Sequence, residues 1–295
     1  MHPRPRKSFF YLRVGPEVLH LYTPLNMRIL SFLFLLALVS ACGNRTEPMD
    51  NVAENANKLD DESKMVGGGT VQLTPMPPTQ EFQNASIEGW TYVNGNFDYN
   101  TAGYTFGKQT DDAPQLMCAN SEKGQHAHLI IDNEPYIAKY TPEFQHDIAD
   151  GNHYILTFLS RSYHESIKTP AAHRAVRTDV SNGSFSNTTD ITDPMLFYSR
   201  PKGTYTGEAE TKNVMLDFYP VNAELGEGDF SVKVEVNGRD NFEITKWQPY
   251  YLTGLPMGEN TVTLTLMKDG AMVEAPLNPV TREFVLRGAP VEESK

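Results

Sequence analysis

The sequence predicts an all-β fold: two tandem immunoglobulin-like β-sandwiches that follow a lipoprotein signal peptide and a flexible tether. Three observations carry this expectation. From Ile87 onward the chain is a succession of short aromatic and β-branched runs punctuated by Gly, Pro, Asn and Asp. Several runs alternate with period two, as in "TVTLTLM" and "SVKVEV", the pattern of strands with one buried face. Helical periodicity is absent after the signal, and turn residues recur at the spacing of a β-sandwich.

Residues 1–41 are read as removed before folding. Met27-Arg28 opens a short positive region, and "ILSFLFLLALVSA" (29–41) is an apolar run with a small-residue ending, directly before Cys42. A transmembrane helix needs about 20 apolar residues, so the run has the length of a secretory core instead. Val39-Ser40-Ala41-Cys42 reads as a bacterial lipobox, with Cys42 lipidated as the first mature residue. The expected location is the cell envelope, at the outer membrane. Residues 1–26 fit no part of such a signal, and Met27 is read as the true initiator.

Removing residues 1–41 takes five basic and one acidic residue from totals of 25 and 37, leaving 20 and 36 and a net charge of −16. Such a surface repels nucleic acid, which is excluded as a partner. The expected contacts are the membrane, through the lipid, and a protein, metal or anionic ligand. Cys118 is the one cysteine left after Cys42 is lipidated. No intrachain disulfide is then available, and stability has to come from an apolar core.

Residues 42–80 are poor in aromatics and rich in Asn, Glu, Asp, Gly and Pro, the composition of a tether that cannot bury enough surface to order itself. The sandwiches are placed at 81–190 and 191–295, with their junction in the polar run "SNGSFSNTTDITDP" (181–194). An internal repeat supports the division. "HAHLIIDNEPYIAKYTPEFQHDIADGNHYILTFLSRS" aligns with "FSVKVEVNGRDNFEITKWQPYYLTGLPMGENTVTLTLMKDG". Each has a strand, a polar turn, a return strand, a Pro-containing link, a Gly-led turn and a further strand.

All six histidines beyond residue 41 lie between His126 and His173, and the second copy has none. Its aligned positions hold Lys233, Glu235 and Asn260, so the scaffold does not itself require histidine there. His126 and His128 share one face of an extended strand. With His153 and His164 they form a candidate set of neutral nitrogen donors for Zn or Cu. An alternative is a cupin-like metal-dependent enzyme using His126, His128, Glu134 and His153. Against it, Glu134 lies six residues after His128, and "ADGNHY" lacks the Pro-x-Gly spacing of the second cupin motif. A third reading is an anion site on Arg161, Ser162 and Arg200, since guanidinium with hydroxyls grips phosphate or carboxylate. A fourth is a structural or protein-interaction module whose histidines lie at or near the surface. No G-x-S-x-G, Gly-rich phosphate loop or paired carboxylate frame is present, so no catalytic residue is assigned and the expectation is a non-enzymatic binding module.

The blocks "CANSEKGQHAHLIIDNEPYIAKY", "FLSRSYHESIK", "MLFYSRPKG", "WQPYYLTGLPMGENTVTLTL" and "NPVTREFVL" resemble a family of Bacteroidetes envelope lipoproteins. The likeness covers nearly all of the chain beyond about residue 73. It implies the same tandem β organisation and carries no activity. Some members bear an automatic phosphopeptide-binding name, but this sequence shows no phosphopeptide motif of the forkhead-associated type.

Overall fold

The computed structural model describes residues 70–289. Cys42, the signal and most of the tether lie outside the described residues. The strands are β1 (Gln72–Pro75), β2 (Ser86–Val93), β3 (Asn96–Ala102), β4 (His126–Ile131), β5 (Ile137–Lys139), β6 (Glu143–Gln145), β7 (Gly151–Ser160), β8 (His173–Ser181) and β9 (Ser184–Asp190). They continue as β10 (Met195–Arg200), β11 (Gly203–Thr206), β12 (Val214–Val221), β13 (Phe230–Val236), β14 (Asp240–Ile244), β15 (Tyr250–Thr253), β16 (Gly258–Lys268), β17 (Ala271–Met272) and β18 (Val280–Arg287). Two single-turn helices, α1 (Ala113–Leu116) and α2 (Glu208–Thr211), interrupt them.

Four sheets result. The orders β2-β3-β6 and β5-β4-β7-β8-β9 make one sandwich, and β1-β15-β12-β10 and β11-β18-β16-β13-β14 make the other. Alternation decides what each strand buries. In β13, Val232, Val234 and Val236 face the core while Lys233 is exposed. In β4, Ala127 and Leu129 join the core of the first sandwich with Phe97, Tyr99, Ile155 and Val176. The strands aligned by the internal repeat take matching places: β4 and β13 each lie between a short partner (β5, β14) and a long strand (β7, β16). In both sandwiches this is the immunoglobulin arrangement of a C strand between C′ and F, with β8 and β18 as G. Strand β11 pairs parallel to β18 at the sheet edge.

Two expectations need correction. The tether does not run to residue 80, because Gln72–Pro75 pairs antiparallel with β15 and completes the second sandwich, where Val71 enters the core. The apolar residues Val71, Leu73 and Met76 outweigh the Pro-rich composition around them. Nor is 181–194 a linker throughout. Asn182-Gly183 is a two-residue hairpin turn with both residues at positive φ (49° and 66°), and it returns the chain as β9. Only Ile191–Pro194 connects β9 to β10.

The outer face of the five-stranded sheet packs on the outer face of the four-stranded one. Ile130, Tyr136, Leu156 and Phe158 meet Met195, Phe197, Tyr219 and Val221. For this reason β10 and β12 are buried along their whole length, one face in the second core and the other against the first sandwich. The candidate site lies on this covered face.

Candidate functional site

The covered face of β4 carries His126, His128 and Ile130, and both histidines are 0% exposed. Register brings the third histidine to them. His126 pairs with Ser160 at the end of β7. The chain then turns back through 161–165, closed by Arg161 N–H to the Glu165 carbonyl and His164 N–H to the Arg161 carbonyl (both 2.9 Å). His164 occupies the left-handed region at φ 72°, where histidine occurs more readily than most side chains. The loop is tied to β12 of the second sandwich. Asp217, 1% exposed, accepts from Ser166 N–H (2.9 Å), Ser166 Oγ–H (3.2 Å) and Lys168 Nζ (2.9 Å).

Three ring nitrogens converge there. His126 Nε2 lies 2.9 Å from His128 Nε2 and 3.0 Å from His164 Nδ1, and one nitrogen from each ring falls within 4.8 Å of the others. His126 Nδ1 is 2.8 Å from the Gly124 carbonyl, which can only accept, so the proton sits on Nδ1 and Nε2 carries the lone pair. The ring of Tyr136 stacks on His128 at 3.6 Å and 6°, and its hydroxyl lies 3.3 Å from His164 Nδ1. Arg200 Nη2 donates to that hydroxyl and Nη1 to Tyr205 Oη, both at 2.8 Å. Lys202 Nζ donates to the Tyr136 carbonyl at 2.6 Å and sits 3.8 Å from the centre of its ring. Ser199 Oγ is 3.4 Å from His128 Nδ1.

Electrostatics keep the rings neutral. Burial, with smaller contributions from Arg200 and Lys202, lowers His126 to about 4 against the pull of the Gly124 carbonyl. Burial first, then the neighbouring histidines and these two cations, holds His128 well below the usual histidine range. His164 is lowered in the same way, with Arg200 the next largest cause after burial. Lys202 is itself brought down to about 8, mainly by burial and then by Arg200.

Of the four histidines predicted as ligands, His153 is elsewhere. It heads β7, whereas Phe158 of the same strand lies opposite His128. Five residues of strand separate the two positions, about 17 Å. His153 instead bonds Asp132 Oδ2 at 2.6 Å and the Ala149 carbonyl at 2.9 Å. Glu134 is exposed and likewise outside the cluster, so the cupin-like set is not assembled. The surface reading of the histidines fails for His126 and His128, because the second sandwich covers them.

The anion set is also divided. Arg161 donates to the carbonyls of Gln80 and Ser166 (3.3 Å for the latter) and lies 3.5 Å from Glu165. Ser162 exchanges bonds with Thr110, while Arg200 belongs to Tyr136 and Tyr205. Tyr136 and Ser199 were not indicated by any motif, while Lys202, which "YSRPKG" offered with Arg200 to an anion, stands over the Tyr136 ring instead. All three reach the site by packing alone.

A separate cleft of about 780 Å³ is lined by Gln109, Pro114, Met117, Cys118, Glu208 and Lys212. Burial pushes the Cys118 thiol up to about 12, which removes it as a nucleophile at neutral pH. The convergent chemistry is at the histidines.

No protein-family model matches this chain, and no curated protein matches it. Among solved structures it is similar to the fibronectin(III)-like modules of Clostridium thermocellum CbhA, at 11% identity over 76% of this chain and 98% of that one, with a TM-score of 0.26. A second likeness is to the extracellular domain of a hybrid two-component system, BT3049, from B. thetaiotaomicron. It has 11% identity over 68% of this chain, 37% of that chain and a TM-score of 0.25. The present chain thus spans little more than a third of that domain. Likenesses this distant say nothing of function; the all-β tandem sandwich is read from the sheets themselves.

Proposed function

We propose that this chain is a lipid-anchored cell-envelope binding module whose ligand is a transition-metal ion held by His126, His128 and His164. One observation carries the metal. His126 Nε2 offers a single lone pair, yet two ring nitrogens approach it at hydrogen-bonding distance. With neutral rings, one lone pair cannot satisfy two donors well. A cation between the rings uses a lone pair from each and resolves the conflict. Metal–imidazole bonds of about 2.0–2.1 Å place tetrahedral donors about 3.3 Å apart, so the two short contacts to His126 Nε2 open by only a few tenths of an ångström, while His128 and His164, within 4.8 Å of each other, adjust to the same ion. The Gly124 carbonyl on His126 Nδ1 is the outer contact that fixes a ligating tautomer.

The test is a melt of the metal-free protein with Zn(II) or Cu. Saturation at ~100 times the dissociation constant adds about 2.7 kcal/mol, a shift in melting temperature that is easily read. His164→Asn should abolish it, and asparagine tolerates the positive φ of that loop position, so the metal-free melt should change little. A wild-type protein that no metal stabilises would rule the site out.

The anchor rests on the apolar run 29–41 ending at Cys42, which lies outside the described residues. Cys42→Ala is expected to accumulate as unprocessed precursor without lipid label. A variant processed and labelled like the wild type would remove the anchor.

A further inference from the structure

Two cations stand close to the three nitrogens. Contacts of 2.8 and 3.3 Å join Arg200 Nη2 to His164 Nδ1 through the Tyr136 hydroxyl, which puts the guanidinium within about 6 Å of the cluster. On the His128 side, Tyr136 stacks at 3.6 Å and Lys202 Nζ lies 3.8 Å from the same ring, so the ammonium is within about 7.4 Å of the imidazole. The charged side chains that approach the cluster through Tyr136 are Arg200, at its hydroxyl, and Lys202, over its ring, and both oppose a further positive charge on the histidines. Among the described residues no thiolate joins the histidines, since Cys118 lines the other cleft.

Such surroundings discriminate between ions by charge. Repulsion from fixed cations grows in proportion to the charge of the bound ion, and the cost of taking it out of water grows with the square. A divalent ion on neutral imidazoles normally regains part of this from a carboxylate, a hydroxide or several waters. Packing leaves little space for those around His126 and His128, although His164 is only half-buried. His126 and His128 are fully buried, Tyr136 covers one ring, and the Tyr140 ring lies 4.7 Å from the other. A monovalent d¹⁰ ion is satisfied by two or three neutral nitrogen donors without a solvent ligand. Resting on the metal reading above, we infer that the ion this site is built to take is Cu(I), three-coordinate on His126 Nε2, His128 Nε2 and His164 Nδ1.

The test compares the two charges on one protein at neutral pH. The full mature chain is titrated with Cu(I) under anaerobic conditions against a chromogenic Cu(I) chelator, and with Zn(II) against a chromogenic Zn(II) chelator. The same titrations are run on Lys202→Met, which removes one positive charge and keeps an apolar stem over Tyr136. If the field sets the preference, the gain in Zn(II) affinity is about the square of the gain in Cu(I) affinity, for example roughly tenfold against threefold. The X-ray absorption of the Cu(I) form should show three nitrogen neighbours and no fourth ligand. Equal gains for the two ions, or a four-coordinate ion with a solvent oxygen, would overturn the inference while leaving a metal site in place. Failure of both ions to bind would instead remove the metal reading itself.

Discussion

His126, His128 and His164 are neutral in the folded protein because burial and two nearby cations disfavour a third positive charge. In the unfolded chain each reverts to a pKa of about 6.5. Between the folded and unfolded values the unfolded state binds more protons, so stability is fully present above about pH 6.5 and is lost as pH falls through that window. For His126 the window reaches down to about 4. Each such histidine contributes a slope of roughly 1.4 kcal/mol per pH unit. The metal-free protein should therefore show a urea midpoint that drops steeply from pH 7 to pH 5, and His126→Gln with His128→Gln should flatten that dependence. An unchanged slope in the double variant would mean the two rings are not buried neutral. The residue types of the site were visible in "GQHAHLIID", and period two correctly put His126 and His128 on one face. Whether that face met water or protein was not written in those residues.

Strand β1 shows how an element can be misread from its surroundings. "VQLTPM" sits among Gly, Pro and polar residues, yet it supplies Val71 and Met76 to buried clusters and four backbone pairings to β15. Deleting residues 70–76 should cost roughly 3–5 kcal/mol, the burial of two apolar side chains plus the loss of an edge strand. Urea unfolding of the shortened protein measures it directly, and a midpoint equal to the parent would mean β1 does not hold the second sandwich. The second sandwich as bounded from the sequence, 191–295, would by itself lack β1 and expose Phe197 and Tyr219. Hairpin turns were the better sequence signal. Asn94-Gly95, Asn182-Gly183 and Asp269-Gly270 each close a two-residue turn with both residues at positive φ, a geometry that Asn or Asp followed by Gly supplies. Reading "SNGS" that way would have placed β9 inside the first sandwich instead of a linker.

At the scale of the whole molecule, the two copies differ in what covers them. Strands β4 and β13 have equivalent places, but β13 turns Lys233 outward to solvent, whereas β4 turns His126 and His128 toward the second sandwich. The absence of histidine from the second copy thus follows from its free face as well as from any role in binding. "MLFYSR" and "VMLDFYPV" carried the matching hint, since neither alternates and both strands are buried on two faces. The sequence by itself determined the all-β class, most of the strands and the alternation of their two faces, because side-chain period and turn chemistry are local. Only the tertiary structure decided that His164 joins His126 and His128 while His153 does not, and that Tyr136, Arg200 and Lys202 surround them. The reason is physical: antiparallel register fixes which distant residues lie opposite one another, and the packing of one sheet on another fixes which polar faces lose their water. Neither is encoded within any single stretch of the chain.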